Sequence, residues 1–578
     1  MRSAALTLGV LLCALGATRG FATSLAGEGP PSGYGYRDAS GNSEARTHGD
    51  LRVSIRTSVL KPVRGYTPLD VTLQNMGPVP LEVRLGFQGQ SGSGMRVSGR
   101  TVEVAPRQRL VAWLPVPAAL HAGQLRVEVP GMEPLLSSVY LEGASGGTVL
   151  VVGTLKDFDD TSGVHRVEAT GSPLFSVRTI DPRDAPRELA AYVGYSAVVV
   201  PGNTAAVPAD VWAALEAYTV TGGRLVLTQP SSDLSERLPL LTAGSIDAGV
   251  PYGFGLVRVC GAALECSQVL NSMLGELIPG PVMPVGPAPR WERGNVLAGG
   301  IAPLLESAKA PVGRFLLLIF VFVLAVGPGS LMLARRQGPA AVLVGVPVVS
   351  VITCVALVVW SVLVDGFSVH SARYSLTWLD AGRSRAVTLG VAAWYANVST
   401  ETVRFPVTSA LLSPDGPDET PMDIDWTGGM TVTHGFLPPR TYREWGEVSV
   451  LPSRARLVLR HDGGKVRVQN ALGARLEEGF ILVGGQRYAL PVLEDGAEGT
   501  LGEPLPEGAT PVSRMLSDLE EASAVRLSAG KAHFGAPLPE GGFIAHLGGV
   551  GPAPSSAMEV ELEAGIHLVR GQSEEVRP

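Results

Sequence analysis

The sequence predicts a multidomain membrane protein with an immunoglobulin-like β-sandwich at the N-terminus, an α/β domain, a two-helix transmembrane hairpin and a C-terminal β-sandwich region. Three observations predict this class: two long apolar runs without charges, alternating apolar and polar residues on both sides of those runs, and continuous apolar strands next to helical patterns. The composition agrees, because 45% of the 578 residues are hydrophobic and only 17% are charged.

The first residues predict an exported chain. Arg2 forms a short basic region, and the apolar run after it has about a dozen residues, too few to span a bilayer. Small residues follow, so we predict a signal peptide over 1–24. Residues 25–48 are polar and glycine-rich, which predicts a flexible linker.

Residues 49–145 predict the first β-sandwich. Stretches such as "LRVSIRT", "LDVTLQN" and "QLRVEV" place an apolar residue at every second position, with turn residues at regular intervals between them. This pattern is typical of antiparallel strands that bury one face.

Residues 147–307 have the pattern of an α/β domain. "TVLVVG" and "SAVVVPG" are continuous apolar strands of the kind found in parallel sheets covered on both faces. Between "SAVVVPG" and "RLVLTQP" lies a helical pattern in which Val211, Leu215 and Tyr218 share one face. Strand, helix and strand at this spacing predict a parallel unit with a right-handed crossover.

The stretch "YSAVVVPGNTAAVPADVWAALEAYTVTGGRLVLTQP" resembles class I glutamine-amidotransferase-like domains, in which a strand ends in a small-residue turn and a helix leads to "GGRLVL". Active members of that family use a cysteine nucleophile after a strand, with a histidine and an acidic partner. This chain has no cysteine between Thr148 and Val259, and "PGNTAA" stands where the nucleophile turn would fall. The resemblance implies the amidotransferase-like fold without its thiol chemistry.

Two uncharged runs predict transmembrane helices over 315–334 and 340–364, because a bilayer core of about 30 Å needs about 20 helical residues. Arg335 and Arg336 fill the connection over 335–339, and positive residues at span ends mark the cytoplasmic side. The flanking parts are then both expected outside. The prolines within the spans, Pro328 and Pro347, predict a kink in each helix.

Alternation returns after the second span. Residues 366–505 predict one or two further β-sandwich units, and residues 506–578 predict a helix followed by closing strands. The whole layout resembles a group of bacterial two-span membrane proteins with no assigned activity. The residues that carry this likeness are "VGP" (Val326 to Pro328) and "VRVQNALGARLEEGFILVGGQRYAL".

Of the four cysteines, Cys13 falls in the predicted signal peptide and Cys354 in the second span. Cys260 and Cys266 remain, in "VCGAALECS". In an oxidising compartment a close pair favours a disulfide, which we predict. The alternative is a metal or redox pair, but the spacing is not CxxC and no histidine is near.

The segment "KDFDDTSGVH" supplies a weak ligand-binding candidate, because ligands of α/β sheets bind at the carboxyl ends of strands. Its polar residues are Asp157, Asp159, Asp160 and His165. The spacing fits no EF-hand, and a solvated acidic loop is the alternative. No other motif of a hydrolase, nucleotide or metal site occurs, so we predict no catalytic, cofactor-binding or metal-binding residues.

These observations predict a membrane-anchored, non-catalytic scaffold or binding protein of the bacterial cell envelope. It would sit in the cytoplasmic membrane as a multi-pass protein, with its large domains exported to the periplasm or cell exterior. Its expected partners are the lipid bilayer and an envelope protein or glycan. A net charge of −7 without a basic stripe argues against nucleic acid. An envelope enzyme acting through the α/β domain and an accessory subunit of a transport or secretion complex remain alternatives.

Overall fold

A computed structural model describes the chain in stretches with gaps between them, and the predicted signal peptide lies outside these stretches. The described residues are 35–39, 43–61, 65–91, 94–117, 120–143, 147–166, 175–230, 234–238, 250–275, 304–305, 312–364, 368–396, 399, 402–412, 422–462, 465–506, 511–523, 527, 530–549 and 560–576.

Strands make up 50% of the structure. The strands of the N-terminal part are β1 (Gly35–Asp38), β2 (Ser43–His48), β3 (Leu51–Arg56), β4 (Ser58–Lys61), β5 (Tyr66–Asn75), β6 (Leu81–Ser91), β7 (Gly94–Val104), β8 (Arg109–Pro117), β9 (Ala122–Glu128) and β10 (Leu135–Gly143). The α/β part comprises β11 (Gly147–Val152), α1 (Leu155–Ser162), β12 (His165–Arg166), β13 (Phe175–Ile180), β14 (Ala197–Pro201), α2 (Ala209–Val220), β15 (Arg224–Thr228), α3 (Leu234–Arg237), β16 (Val250–Tyr252), β17 (Gly255–Cys260) and α4 (Ala263–Gly275).

The apolar helices follow, and then a second β-rich part. The helices are α5 (Val312–Leu324), a π-helical segment (Ala325–Gly329), α6 (Ser330–Gln337) and α7 (Ala340–Val364). The later elements are β18 (Val369–Asp380), β19 (Arg385–Ala396), β20 (Val403–Phe405), β21 (Ser409–Leu412), β22 (Met422–Asp425), β23 (Met430–His434), β24 (Thr441–Pro452), β25 (Arg456–Asp462), β26 (Lys465–Ala471), β27 (Leu476–Val483), β28 (Gln486–Ala489), β29 (Glu498–Thr500), α8 (Pro511–Ala522), α9 (Lys531–Phe534), β30 (Gly542–Leu547), β31 (Val560–Gln572) and β32 (Glu574–Val576).

The α/β sheet has the strand order β12-β1-β13-β11-β14-β15-β17-β16, and all its pairs are parallel except β16 with β17. Its central strands read 2-1-3-4-5 in chain order, one of the two common orders of doubly wound sheets. Short runs of valine and leucine form these strands because both faces are buried.

Part of the predicted flexible linker forms two β-strands instead, β1 and β2, of which β2 pairs with β3. β1 inserts between β12 and β13, and the Tyr36 ring packs against Phe158 and Phe175. Tyr36 is 0% exposed. The glycine-rich sequence of 25–48 did not predict β1, because this strand has no apolar pattern. One buried aromatic side chain and backbone pairing stabilise it.

The strands before and after the apolar helices share one sheet, here called the shared sheet, with the order β20-β23-β22-β7-β6-β9-β10-β4. β22 pairs in parallel with β7, from Met422 opposite Arg96 to Asp425 opposite Gly99. Beside this pairing Trp426 Nε1 donates to Ser98 Oγ at 2.9 Å. The predicted sandwich over 49–145 is therefore completed by strands from beyond the helices.

A second large sheet, the C-terminal sheet, has the order β21-β24-β19-β18-β31-β30-β27-β28. β31 lies between β18 and β30, so the predicted closing strands run through the middle of a sheet begun near residue 369. Two four-stranded sheets, β2-β3-β5-β8 and β29-β26-β25-β32, complete the described β structure.

Two helical stretches, Leu316–Gln337 and Ala340–Leu357, are long and apolar enough to cross a membrane, and the chain buries neither. They approach closely at Gly345, because a methyl group added there would lie 2.8 Å from Leu333 Cδ2. Arg335 and Arg336 belong to the last turn of α6, where positive charge suits the helix dipole. The turn is thus shorter than the predicted 335–339.

The two prolines have different local surroundings. At Pro328 the helix widens into the π-helical segment, a form that accommodates an interrupted hydrogen-bond ladder. At Pro347 the helix α7 continues without interruption. The predicted kink at Pro347 stays a prediction.

A structural repeat flanks the apolar helices. The first unit consists of β3 and β5 to β10, and the second unit consists of β25 to β31. Strands at matching places in the two units pair with matching strands. For example, β6 pairs with β9 in the first unit, and β27 pairs with β30 in the second. Asn75 is the last residue of β5 and Asn470 the last but one of β26, and they are 1% and 0% exposed.

The two asparagines make matching hydrogen bonds. Asn75 Nδ2 donates to the carbonyls of Val79 and Val104, and Asn470 Nδ2 donates to those of Ala474 and Leu493. The Asn75 carboxamide oxygen accepts from the amide two residues ahead, as does that of Asn470. Leu81 and Leu476, six residues after each asparagine, begin the next strand. In each unit, the turn that follows the asparagine is called the tip of that unit.

We expect both asparagines to be structural braces. Asn75→Ala leaves two carbonyls and one amide without their side-chain partner, and Asn470→Ala leaves three carbonyls and one amide. Each change costs about 2–4 kcal/mol of unfolding free energy. Denaturant unfolding of the purified protein measures the loss, with the exposed Gln124→Ala as the control. Equal stability of Asn470→Ala and the control would remove the brace assignment.

The shared sheet requires that the parts before and after the helices lie on one side of any membrane the helices cross. In a chain whose Cys13 and Cys354 are replaced by alanine, Ser138→Cys and Glu503→Cys should react with an impermeant maleimide under the same conditions. Gln337→Cys, in the connection, should react only after permeabilisation. Labelling of positions 138 and 503 from opposite sides would contradict the shared sheet.

Candidate functional site

The carboxyl edge of the α/β sheet is the place where such folds bind ligands, at the point between β11 and β14 where the strand order reverses. At this point Pro201 lies close to Gly153. Gly153 follows β11, and a methyl group added to it would lie 2.7 Å from Pro201 Cγ at the end of β14. Gly153 N donates to the Ile180 carbonyl at 2.9 Å, which joins the end of β11 to β13. A methyl group added to the residue after Pro201, Gly202, would meet nothing within 4 Å.

The acidic segment after β11 is a helix, not the loop that the sequence suggested. Thr154 caps α1 by accepting from Asp157 N, and its hydroxyl donates to the Asp157 carboxylate at 2.6 Å. Asp159 accepts a 2.5 Å hydrogen bond from the Tyr36 hydroxyl. Asp160 is exposed. The three carboxylates therefore have different surroundings: Asp157 takes part in the helix cap, Asp159 holds β1, and Asp160 faces solvent.

His165 lies in β12, whose backbone pairs with β1. Within the described residues no group of three or more His, Cys, Asp or Glu side chains could hold a metal ion. Asp157 and Asp159, two residues of the weak ligand-loop candidate, thus have structural roles, because the first turn of a helix and an incoming strand need hydrogen-bond acceptors.

Cys260 and Cys266 are brought together, but as free thiols, so the predicted disulfide is not formed in the structure. Cys260 ends β17, and Cys266 lies in the following helix α4, so the strand-to-helix turn joins them. A hydrogen bond from Cys266 lowers the pKa of the Cys260 thiol. Both side chains are buried in the apolar core between α1, α4 and the sheet.

The turn expected to replace the nucleophile elbow follows β14. Gly202 has a φ of 70°, and its amide donates to the Thr228 carbonyl at 2.9 Å. A second left-handed residue, Gln229 with a φ of 52°, follows β15 at the same edge. A left-handed residue other than glycine stores backbone strain. Sequence reasoning missed Gln229, since the following proline disfavours helix but does not favour the left-handed region.

A polar strip crosses the buried face of the C-terminal sheet, and sequence reasoning missed it entirely. Arg373 donates to Glu447 at 3.0 and 2.8 Å, and Ser375 Oγ lies 2.5 Å from His567 Nδ1. These four residues are at most 5% exposed. Ser375 and His567 are 192 positions apart, so no local pattern could have joined them.

The Ser375–His567 pair resembles a nucleophile and base by composition only. In a serine hydrolase the base uses one ring nitrogen for the serine and the other for an orienting carboxylate. Here His567 Nε2 has no hydrogen-bond partner in the described part of the chain. With both side chains only 1% exposed, no substrate reaches the hydroxyl, and the pair is structural.

The α/β part is held to the two β parts through buried charges. Arg178, 2% exposed, donates to Asp70 Oδ1 at 2.5 Å and to the Pro68 carbonyl at 2.8 Å. In α2, Glu216 accepts from Arg385 through both carboxylate oxygens, at 2.8 and 3.0 Å.

Tyr252 adds a 2.6 Å hydrogen bond to Glu216, and Arg383 forms a further ion pair with it. Burial opposes ionisation, but the hydrogen bonds from Arg385 and Tyr252 outweigh it and lower the pKa of Glu216. Glu216 is therefore charged at neutral pH and anchors α2 against the C-terminal sheet.

His567 makes stability depend on pH. Burial, with Arg373 and His546 nearby, lowers the pKa of His567 to about 3, whereas an unfolded histidine titrates near 6.5. The unfolded chain therefore binds a proton that the folded chain excludes, and stability falls as pH drops from about 7 toward 3. The slope from this residue is at most about 1.4 kcal/mol per pH unit.

We expect His567→Gln to flatten the acid side of the stability profile. The measurement is the unfolding free energy of the variant from pH 7 to pH 4. The control is His434→Gln, because the His434 side chain is 81% exposed. A profile of His567→Gln parallel to that of the control would show that His567 does not carry this dependence.

Comparisons with known proteins leave the family open. No protein-family model and no curated protein matches the sequence. Among solved structures, a search returns a β-glucosidase from Listeria innocua in complex with gluconolactone, with a TM-score of 0.12 and 11% identity over 17% of each chain. That alignment spans 17% of the enzyme, and a TM-score this low carries no argument about fold or chemistry.

Proposed function

We propose that this protein is a membrane-anchored, non-catalytic scaffold or binding protein of the bacterial cell envelope. It would present its β-sandwich units and amidotransferase-like α/β part to a protein or glycan partner outside the cytoplasm. The observation that carries the proposal is the continuous β structure across the apolar helices, in which β7 and β22 belong to one sheet. Such a body suits rigid presentation of surfaces next to a membrane.

The close approach of Pro201 to Gly153 at the carboxyl edge of the α/β sheet supports a non-catalytic role. Pro201 lies against Gly153 where a ligand would enter, and the acidic side chains of α1 serve as a cap and a strand attachment. The amidotransferase-like resemblance would then concern only the fold.

A subunit role in a transport or secretion complex is a second candidate, favoured by one observation. Gly327, Pro328 and Gly329 are exposed on the first helical stretch, and nothing lies within 4 Å of a methyl group added at Gly327. Another transmembrane helix could approach closely there. Gly327→Leu should then reduce co-purification of that neighbour, while Leu343→Ala, on the exposed side of α7, serves as the control.

Crosslinking in native membranes, followed by affinity purification and mass spectrometry of the full-length protein, tests the scaffold proposal. We expect a reproducible envelope partner in addition to lipid. A chain recovered alone, together with metal binding by the purified protein that Asp157→Ala and Asp159→Ala abolish, would favour the enzyme instead. Asp160→Ala, at an exposed position of the same helix, is the matched control for metal binding.

A further inference from the structure

The tip of the first unit exposes large apolar side chains. Met76 and Val79, in the turn after Asn75, are 50% and 61% exposed, and Met132 in the neighbouring β9–β10 turn is 38% exposed. Met132 reaches the β2–β3 turn, because its Cε would lie 2.6 Å from a methyl group added at Gly49. The turn after Asn75 also meets the β2–β3 turn, because Met76 N donates to the Asp50 carbonyl at 2.7 Å. The three turns that carry these apolar side chains therefore lie side by side.

Unpaired acidic side chains border this surface. Glu82 and Glu103 lie directly opposite each other in the β6–β7 pair, one residue from the end of the strands, and both are exposed. Like charges in this position are destabilising unless a counter-charge is supplied. Neither carboxylate forms an ion pair within the described stretches. Asp50 and Glu133 add negative charge in the adjoining turns, where Arg107 supplies one positive charge. Arg84, also exposed, lies two residues after Glu82 in β6.

The second unit shows what the same tip looks like without these features. Ala471 and Ala474 stand at the positions of Met76 and Val79, by the matched asparagine brace. Glu477, the equivalent of Glu82, lies 3.6 Å from His546.

The equivalent of Glu103 in the second unit is Val492, which precedes Leu493 as Glu103 precedes Val104. Arg475 lies 3.4 Å from Glu494, so charges of this tip pair with each other. Met76, Val79 and the opposed acids are thus replaced at the matching described positions of the second unit, where Val492 is itself 57% exposed. The brace does not require them.

We propose that the tip of the first unit binds a partner-protein segment that carries both basic and apolar side chains. The inference rests on the proposed scaffold function and names the partner chemistry. Apolar side chains of the segment would cover Met76, Val79 and Met132, and its Lys or Arg side chains would meet Glu82 and Glu103. Methionine suits this role because its flexible thioether adapts to differently shaped partners. Charge complementarity of this kind contributes to specificity and to the rate of association.

The test uses the full-length protein in nanodiscs of zwitterionic lipid and two fluorescein-labelled synthetic peptides of twelve residues. One peptide alternates leucine with lysine, and the other alternates leucine with glutamate. We expect the lysine peptide to bind and the glutamate peptide not to bind, by fluorescence anisotropy, after subtraction of empty nanodiscs. The double variant Glu82→Lys/Glu103→Lys should weaken binding about tenfold or more, and added salt should weaken binding to the native protein.

The second unit supplies matched controls. Val79→Ser should weaken binding of the lysine peptide, whereas Ala474→Ser at the equivalent position should not. Likewise Val492→Lys, at the equivalent of Glu103, should have no effect comparable to Glu103→Lys. Thermal unfolding of each variant confirms that the unit remains folded, so that a loss of binding is attributable to the tip.

Equal binding of the two peptides, or binding that the tip variants leave unchanged, would overturn the proposal. So would self-association of the protein that the same variants abolish, since the occupant of the tip would then be a second copy. Recovery of the same crosslinked envelope partner from Glu82→Lys/Glu103→Lys would also overturn it, while the scaffold function itself would stand.

Discussion

The parallel pairing of β22 with β7 is the constraint on which the rest of the structure depends. Its backbone hydrogen bonds join residues on either side of the apolar helices, so the chain must leave and return to one compartment if the helices cross a membrane. Trp426 packs edge-on against Tyr66 at 5.1 Å beside this junction, and the Tyr66 hydroxyl donates to the Leu411 carbonyl. One apolar core contains buried residues of both β-rich parts, such as Leu85 and Ile424.

Buried charges then determine how the α/β part sits between the β parts. Removing Arg178 or Glu216 from water is costly, and that cost is offset only when the partner side chains occupy one geometry. Such pairs contribute to a defined orientation more than to stability. For a protein proposed to present surfaces, a fixed orientation is the useful property, since partners that contact several parts at once gain from preorganisation.

The repeat shows how one framework supports two different surfaces. The asparagine brace satisfies buried backbone groups in both units, so the residues of the turn itself are free to vary. In the second unit the turn holds alanines and internally paired charges. In the first unit it holds methionine, valine and opposed glutamates, and these carry the proposed partner specificity.

The sequence by itself determined the features that arise from local pattern: the two apolar helices, the alternating strands, and the continuous strands of the α/β sheet. Period and composition decide these because each residue faces either core, water or lipid. Only the tertiary structure decided that β1 joins the α/β sheet, that β22 completes the shared sheet, and that Ser375 meets His567. Those pairings join residues far apart in the chain, where backbone hydrogen bonds carry no sequence signature. The acidic segment around Asp157 was visible in the sequence, but its use as a helix start and strand attachment depended on Tyr36, 123 positions from Asp159.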